Sequence, residues 1–264
     1  GAPIRWTPLE AHSRWNASLA LNPTLMLASL GVGHAALKSR PILNPVLTHS
    51  RPGPGAMVMP GPQPHHPALL VEYFEIYLRD HDLDAFRQRI IARYTEGTLA
   101  RLLEAGDLSC RRAAVLALGL IGTFDVNPVV ARALKDTDPT VRNLAENALW
   151  TIWFRADSPE NNVILEQISD LNKRQRYHQA IEMANRLIAR APGFAEAHNQ
   201  RAIAHFFLDR LEESIADCER VLAHNPYHTG ALSGMGQAYL RLNLKNKALE
   251  CFRRASVLQP YNEG

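Results

Sequence analysis

Apolar residues settle into a helical rhythm at Leu69. Leu69, Leu70, Tyr73, Phe74, Tyr77 and Leu78 share one face, and after the polar break Asp80-His81-Asp82 the rhythm resumes with Leu83, Phe86, Ile90 and Tyr94. Steps of three and four residues predict two amphipathic helices there. The residues before them behave differently. Positions 1–66 hold most of the prolines and end in Arg51-Pro52-Gly53-Pro54-Gly55 and Pro60-Gly61-Pro62-Gln63-Pro64, which lack both periodic apolar positions and backbone donors. They read as a disordered leader without a face to bury.

Beyond Tyr94 the pattern repeats itself. The stretch from Asp107 to Leu118 aligns, 31 residues on, with the stretch from Asp138 to Leu149, both reading Asp-x-(Ser/Thr)-x-Arg-x-x-Ala-x-x-Ala-Leu. The aspartate suits a helix N-cap, Pro139 suits the first turn, and alanines at those steps let neighbouring helices approach closely. The second copy departs where Trp150 replaces Gly119 and Trp153 and Phe154 follow, an aromatic cluster expected to plug the joint with the next unit. Arg155 to Glu160 then form a short linker in which Asp157 or Ser158 caps the following helix. On this repeated motif, residues 67–156 resemble HEAT-like repeats of the kind found in phycobilisome lyases. The resemblance implies that Asp107, Arg111, Asp138 and Arg142 pair between adjacent repeats in a buried ladder, a structural role.

From residue 157 the period changes. Pro192, Pro226 and Pro260 fall 34 residues apart, each closing a segment of two helical patterns, with units at about 161–194, 195–228 and 229–262. The third unit carries Leu232, Gly236, Tyr239, Ala248, Phe252, Ala255 and Pro260. Small Gly236 and Ala248 would let the paired helices touch, while Tyr239 and Phe252 fill the space between pairs. The first unit keeps Ile164, Leu171, Ala180, Ala184, Leu187 and Pro192. The second keeps Ala202, Val221 and Pro226 but places His198, His205, Ser214 and Cys218 at core positions, so its histidines are expected to be packing residues. Residues 157–264 thus resemble tetratricopeptide repeats, and the fold class expected is an all-α, right-handed α-solenoid. That resemblance implies a groove lined by the first helix of each pair, with Ile203 and Phe206 as apolar anchors and Lys173, Asn199, Gln237 and Arg241 fixing a partner peptide or helix. The subclass that clamps chaperone C-termini is not matched, since Leu165, Ser169, Gln200, Gly230 and Gly234 stand where its lysines, asparagines and arginine belong.

Composition narrows the chemistry further. Lys plus Arg exceed Asp plus Glu by only 29 to 26 and form no long block, which argues against a nucleic-acid partner. Cys110, Cys218 and Cys251 have no Cys-x-x-Cys spacing and read as buried thiols. His12, His34, His49, His65 and His66 lie in the leader with no element to hold them at ligand spacing, so no metal is expected. The uncharged run 15–37 is long enough to raise a membrane span, yet Asn22-Pro23-Thr24, Ser29, Gly31, Gly33 and His34 argue against one. No phosphate loop, nucleophile elbow or His-Glu-x-x-His is present, so neither enzyme activity nor a cofactor is expected. The chain opens at Gly1, which leaves its compartment open. The reading is a non-catalytic scaffold or adaptor. The lyase resemblance implies, as the alternative, an accessory role in cofactor attachment or protein maturation. Near the chain's end Leu249, Phe252, Val257 and Leu258 lack an intrachain cover, which points to a second copy or a partner helix there.

Overall fold

A computed structural model describes residues 69–261, so the leader, the 15–37 run and the leader histidines lie outside the described residues. Among the described residues, regular structure is entirely helical. Helices α1 (Leu69–Asp80), α2 (Leu83–Arg93), α3 (Glu96–Ala105), α4 (Leu108–Ile121), α5 (Asn127–Arg132) and α6 (Pro139–Phe154) form an N-terminal block. Three antiparallel pairs follow: α7 (Pro159–Lys173) with α8 (Tyr177–Arg190), α9 (Ala195–Phe207) with α10 (Leu211–His224), and α11 (Thr229–Arg241) with α12 (Lys245–Leu258). Each helix packs chiefly on its neighbours in sequence, the arrangement of an α-solenoid.

The N-terminal block is built around α4, whose residues Ala113 to Leu120 are all buried. A helix apolar on every side must be enclosed, and α1, α2, α3 and α6 enclose it. Small residues set the closest approach: a Cβ added at Gly119 would stand 3.1 Å from that of Ala148. Asp107 and Asp138 cap α4 and α6 by accepting from the amides of Cys110 and Val141, at 2.8 and 3.0 Å. The expected ladder is corrected by the geometry. Arg111 pairs with Asp136, two residues before the motif aspartate, and its neighbour Arg112 takes Asp138 at 2.7 Å. Arg142 makes no ladder rung: it donates to the carbonyls of Asp136 and Thr137 and lies over the Tyr261 ring at 4.2 Å. Asp138 thus serves as cap and ion-pair partner at once, its Oδ1 accepting from both the Val141 amide and Arg112 Nε.

The 34-residue period is visible in the backbone. Gln175, Asp209 and Asn243, one period apart, adopt left-handed conformations at φ 58°, 60° and 60°. After each, the amide of the next residue reaches back five positions, Arg176 to Leu171, Arg210 to His205 and Leu244 to Tyr239, at 2.8, 2.9 and 2.8 Å. These are Schellman closures that satisfy carbonyls at the end of the first helix and reverse the chain into the second. Proline follows the second helix in each pair. Ala180, Ala184, Ala202, Ala238 and Ala248 are fully buried where the paired helices meet. Cys110, Cys218 and Cys251 are buried free thiols. Leu249 and Val257 are exposed on α12, while Leu258 packs against the core of the last two pairs.

The second pair carries a polar inset where apolar side chains would be usual. Asp217, buried on α10, receives Arg201 at 2.6 and 2.7 Å and His198 at 3.5 Å. Burial pushes the Asp217 carboxyl up, but the hydrogen bonds from Arg201 and His198 outweigh it and hold the group below its ordinary value. Ser214 donates to the Ala202 carbonyl at 2.9 Å. His205 has a buried Nδ1 without a hydrogen-bond partner. Its burial pulls the imidazole below its ordinary value of 6.5, against the opposing charge of Asp217.

Two outcomes follow from this packing. A Cβ at Gly236 would stand 2.8 Å from the Phe252 ring, so Gly236→Leu should cost about 1 to 3 kcal/mol and lower the melting temperature by several degrees. An unchanged melting curve would contradict the contact. His205 takes up a proton more readily unfolded than folded, so stability should decline as pH falls through 6.5, with the Asp217 contribution lost at still lower pH. Melting of His205→Gln between about pH 7.5 and about pH 5 should show a shallower decline than the parent; an identical profile would refute the assignment.

Candidate functional site

The first helices of the three pairs, α7, α9 and α11, supply the surface expected to hold a partner, and much of it faces inward. Leu165, Ser169, Asn172, Glu196, Asn199, Ile203 and Gly230 are all buried. Asn172 donates to the carbonyl and the side chain of Gln200 at 2.8 and 3.0 Å. Asn199 and Gln200 both donate to one oxygen of Glu196, at 2.8 and 2.9 Å. The Asn199 amide is therefore part of an internal network. Phe206 is 6 % exposed.

Glu196 lies at the centre of that network. Its second oxygen receives Nε2 of His228 at 3.0 Å, and both side chains are completely buried. His228 precedes α11, and its Nδ1 accepts the Ala231 amide at 3.0 Å, so the ring proton sits on Nε2 and points at the carboxylate. Glu196 itself stands in the first turn of α9, where the helix dipole favours a negative charge. Three donors and the dipole offset the cost of its desolvation.

The rings around His228 come from the N-terminal block. Trp153 stacks on it at 4.3 Å between centroids and Trp150 meets it edge-on at 5.3 Å. Trp150 also reaches the chain at Gly230, where an added Cβ would stand 3.2 Å from the indole. The tryptophan cluster is the joint expected of it, but the joint reaches past the first pair to the loop before the third. The Trp153 indole donates to Asn127 at 2.8 Å, and Asn127 donates to Asn225 at 2.9 Å. One period later Gln259 donates to Glu146 at 3.1 Å, and Tyr261 lies under Arg142. Asn225-Pro226-Tyr227 and Gln259-Pro260-Tyr261 thus make equivalent contacts with the N-terminal block, whereas the first such loop reads Ala191-Pro192-Gly193. An amide and a tyrosine flanking proline in two loops but absent from the first is the signal from which these contacts were readable.

The outward part of the surface is different in character. Lys173 is exposed and pairs with Asp170 at 3.2 Å. Gln237 is half-buried, and Leu240 is 51 % exposed. Arg241 is pinned from three sides: it donates to the Phe206 carbonyl at 3.1 Å, pairs with Asp209 at 2.7 Å and lies over the Phe206 ring at 4.9 Å. Phe207 stacks on Tyr177 at 5.2 Å, joining the first and second pairs on the same side. Among the described residues no three His, Cys, Asp or Glu side chains gather as a metal site, and no helix is long and apolar enough to cross a membrane. Truncating His228 would leave the Glu196 carboxylate buried without its outer partner. His228→Ala should therefore destabilise the chain by about 3 to 5 kcal/mol in a denaturant titration, and a loss below about 1 kcal/mol would contradict the network.

With the geometry in place, comparison with known proteins is informative at the C-terminal end. Residues 230–262 match the tetratricopeptide repeat family. Over 101 residues the chain is 30 % identical to a TPR repeat-containing protein of Rhizobium etli, which covers 38 % of this chain and 50 % of that protein. Over 88 residues it is 31 % identical to aryl-hydrocarbon-interacting protein-like 1 of Mus musculus and of Rattus norvegicus, 33 % of this chain and 27 % of theirs. The chain thus spans half, or about a quarter, of the length of these relatives. No solved structure is significantly similar to it. The chain carries a tetratricopeptide repeat at residues 230–262, and these similarities support a protein-interaction role at the general level.

Proposed function

We propose that this chain is a non-catalytic adaptor that holds a segment of another protein along the outward side of α9 and α11. The observation that carries the reading is the contrast within one surface: Asn199 and Ile203 on α9 are fully buried, while Lys173 on α7 and Gln237, Leu240 and Arg241 on α11 remain at or near the surface. An exposed leucine beside an oriented guanidinium and an amide offers an apolar contact and two directional donors, which is what an extended or helical peptide needs. Arg241 is already fixed by Phe206 and Asp209, so little side-chain entropy is lost when it engages a carbonyl or carboxylate. Asn199, Ile203 and Phe206 shape this surface from beneath. The resemblance of the relatives supports the same class of activity, one of them being named as like an interacting protein.

The test is affinity capture from the native source, followed by binding measurements with the captured partner. Leu240→Asp should weaken binding by about 1 to 3 kcal/mol without changing the melting curve, and Arg241→Ala should weaken it by a similar amount together with a small loss of stability from its contacts with Phe206 and Asp209. Ile203→Ala should instead lower the melting temperature, because it opens a cavity in the core of the second and third pairs. Glu212→Ala and Glu213→Ala, on exposed positions of α10, should leave both properties unchanged. Equal binding by the parent, Leu240→Asp and Arg241→Ala would refute this placement.

A further inference from the structure

Away from the repeat surface, a cleft of about 660 Å³ opens in the N-terminal block between α2, the turn after α4 and the linker from α6 to α7. Its walls are largely apolar: Ile91, Tyr94, Leu120, Ile121 and Phe124 line it, with Ile91 51 % exposed at the surface. Two arginines, Arg87 and Arg155, share it. Arg155 is held from behind, its Nη2 donating to the carbonyls of Gly122 at 2.8 Å and Leu118 at 3.3 Å and its Nε to Gly122 at 3.3 Å. Among the described residues no carboxylate stands within ion-pair distance of either arginine.

The two acids in the lining are committed elsewhere. Glu96 accepts the Thr123 hydroxyl at 2.9 Å. Asp157 accepts the Ser158 amide at 2.8 Å and the Asn161 side chain. Burial, with Arg87 alongside and only partly opposed by Glu96, pulls the Arg155 guanidinium down to about 10. It remains protonated at neutral pH, a half-buried charge held by backbone carbonyls with no carboxylate in ion-pair contact. Such a group gains more from a bound anion than a solvated arginine does.

We propose that this cleft binds a carboxylate carried on an apolar body, with the carboxylate against Arg155 and Arg87 and the body against Ile91, Ile121 and Phe124. The volume falls within the range that accepts a small molecule or a few residues of peptide. A guanidinium fork matches a planar carboxylate in geometry. A phosphate dianion fits less well, because its second charge would face Glu96 and Asp157 and it brings nothing to cover the apolar walls. A free alkyl acid and the C-terminal carboxylate of an apolar peptide tail share this chemistry. The site is separate from the repeat surface and does not depend on the adaptor reading.

Calorimetric titration of the full chain with two matched pairs of probes tests it: hexanoate against hexanamide, and a tetrapeptide ending Leu-Leu against the same peptide amidated at its C-terminus. At least one acid should bind in the sub-millimolar to millimolar range, with its neutral counterpart about tenfold weaker or more. Which acid binds identifies the source. Arg155→Gln frees backbone carbonyls and can disturb folding, so the exposed Arg87→Gln carries the mutational arm; it should melt like the parent and lose about threefold to tenfold in affinity for the acid. Absence of binding by both acids in the millimolar range, equal binding of acid and amide, parental affinity in Arg87→Gln, or inorganic phosphate competing as strongly as the acid would each overturn the proposal.

Discussion

Glu196 has no water to solvate its charge, and the surrounding chain is arranged to supply donors in water's place. Asn199 and Gln200 come from one turn further along the same helix, while His228 comes from the loop one repeat later. A contact between positions 32 residues apart fixes where α11 begins relative to α9, because a shift of a single residue would leave a carboxylate buried against an indole. Buried ionic pairs contribute modestly to stability once desolvation is counted, but breaking one is costly. The consequence here is geometric: the network allows one relative placement of the second pair, the third pair and α6.

Helix α6 is the other party to that constraint. Its residues Val141, Leu144, Ala145, Ala148 and Leu149 close the N-terminal block from within its core. Its second half turns the same helix toward the repeats, where Trp150 and Trp153 meet His228 and Phe154 packs against the cores on both sides. The loops before α11 and after α12 then attach to the N-terminal block through Asn225 and Gln259, whose amides meet the buried Asn127 and the half-buried Glu146. Burial pushes the Glu146 carboxyl up, with the Gln259 hydrogen bond opposing. Repeats in a simple array touch only their neighbours. Here the second and third also touch a helix that precedes the first.

Local rules of the chain were legible in its sequence, and long-range ones were less so. The 34-residue proline period identifies the helix pairs because proline termination and the left-handed turns at Gln175, Asp209 and Asn243 are decided by residues within a turn of each other. The need for a small residue at Gly236 was readable for the same reason, since two helices joined by a short turn have little freedom in register, but the register assigned Phe252 to the space between pairs and not to the ring against Gly236. The arginine ladder was misplaced by one and two positions because which arginine reaches which aspartate depends on the three-dimensional gap between α4 and α6, which the repeat motif does not encode. The groove positions were identified by repeat register, but nothing in the register says that Glu196 and Asn199 would turn inward to meet a histidine. His228 stands where the preceding loop has Phe194, and that exchange of a ring for a titratable ring was the available hint.

A repeat surface used internally at one end changes what the remainder offers. Where α6 and the loop at His228 approach α9 and α11, Glu196, Asn199, Gln200 and His228 are bonded to one another within the chain, and opening them would expose a carboxylate network and two indoles together. That is a large cost for a partner to offset. Toward the C-terminal ends of the same helices the chain instead leaves Leu240 exposed and holds Arg241 in place through Phe206 and Asp209. Rigidity generated at the buried end is transmitted along the helices to the accessible end, because each α-helix moves as a body over this distance. If the chain acts as the adaptor proposed above, the network around Glu196 would bear on recognition without touching a partner, by holding α9 and α11 in a fixed relation.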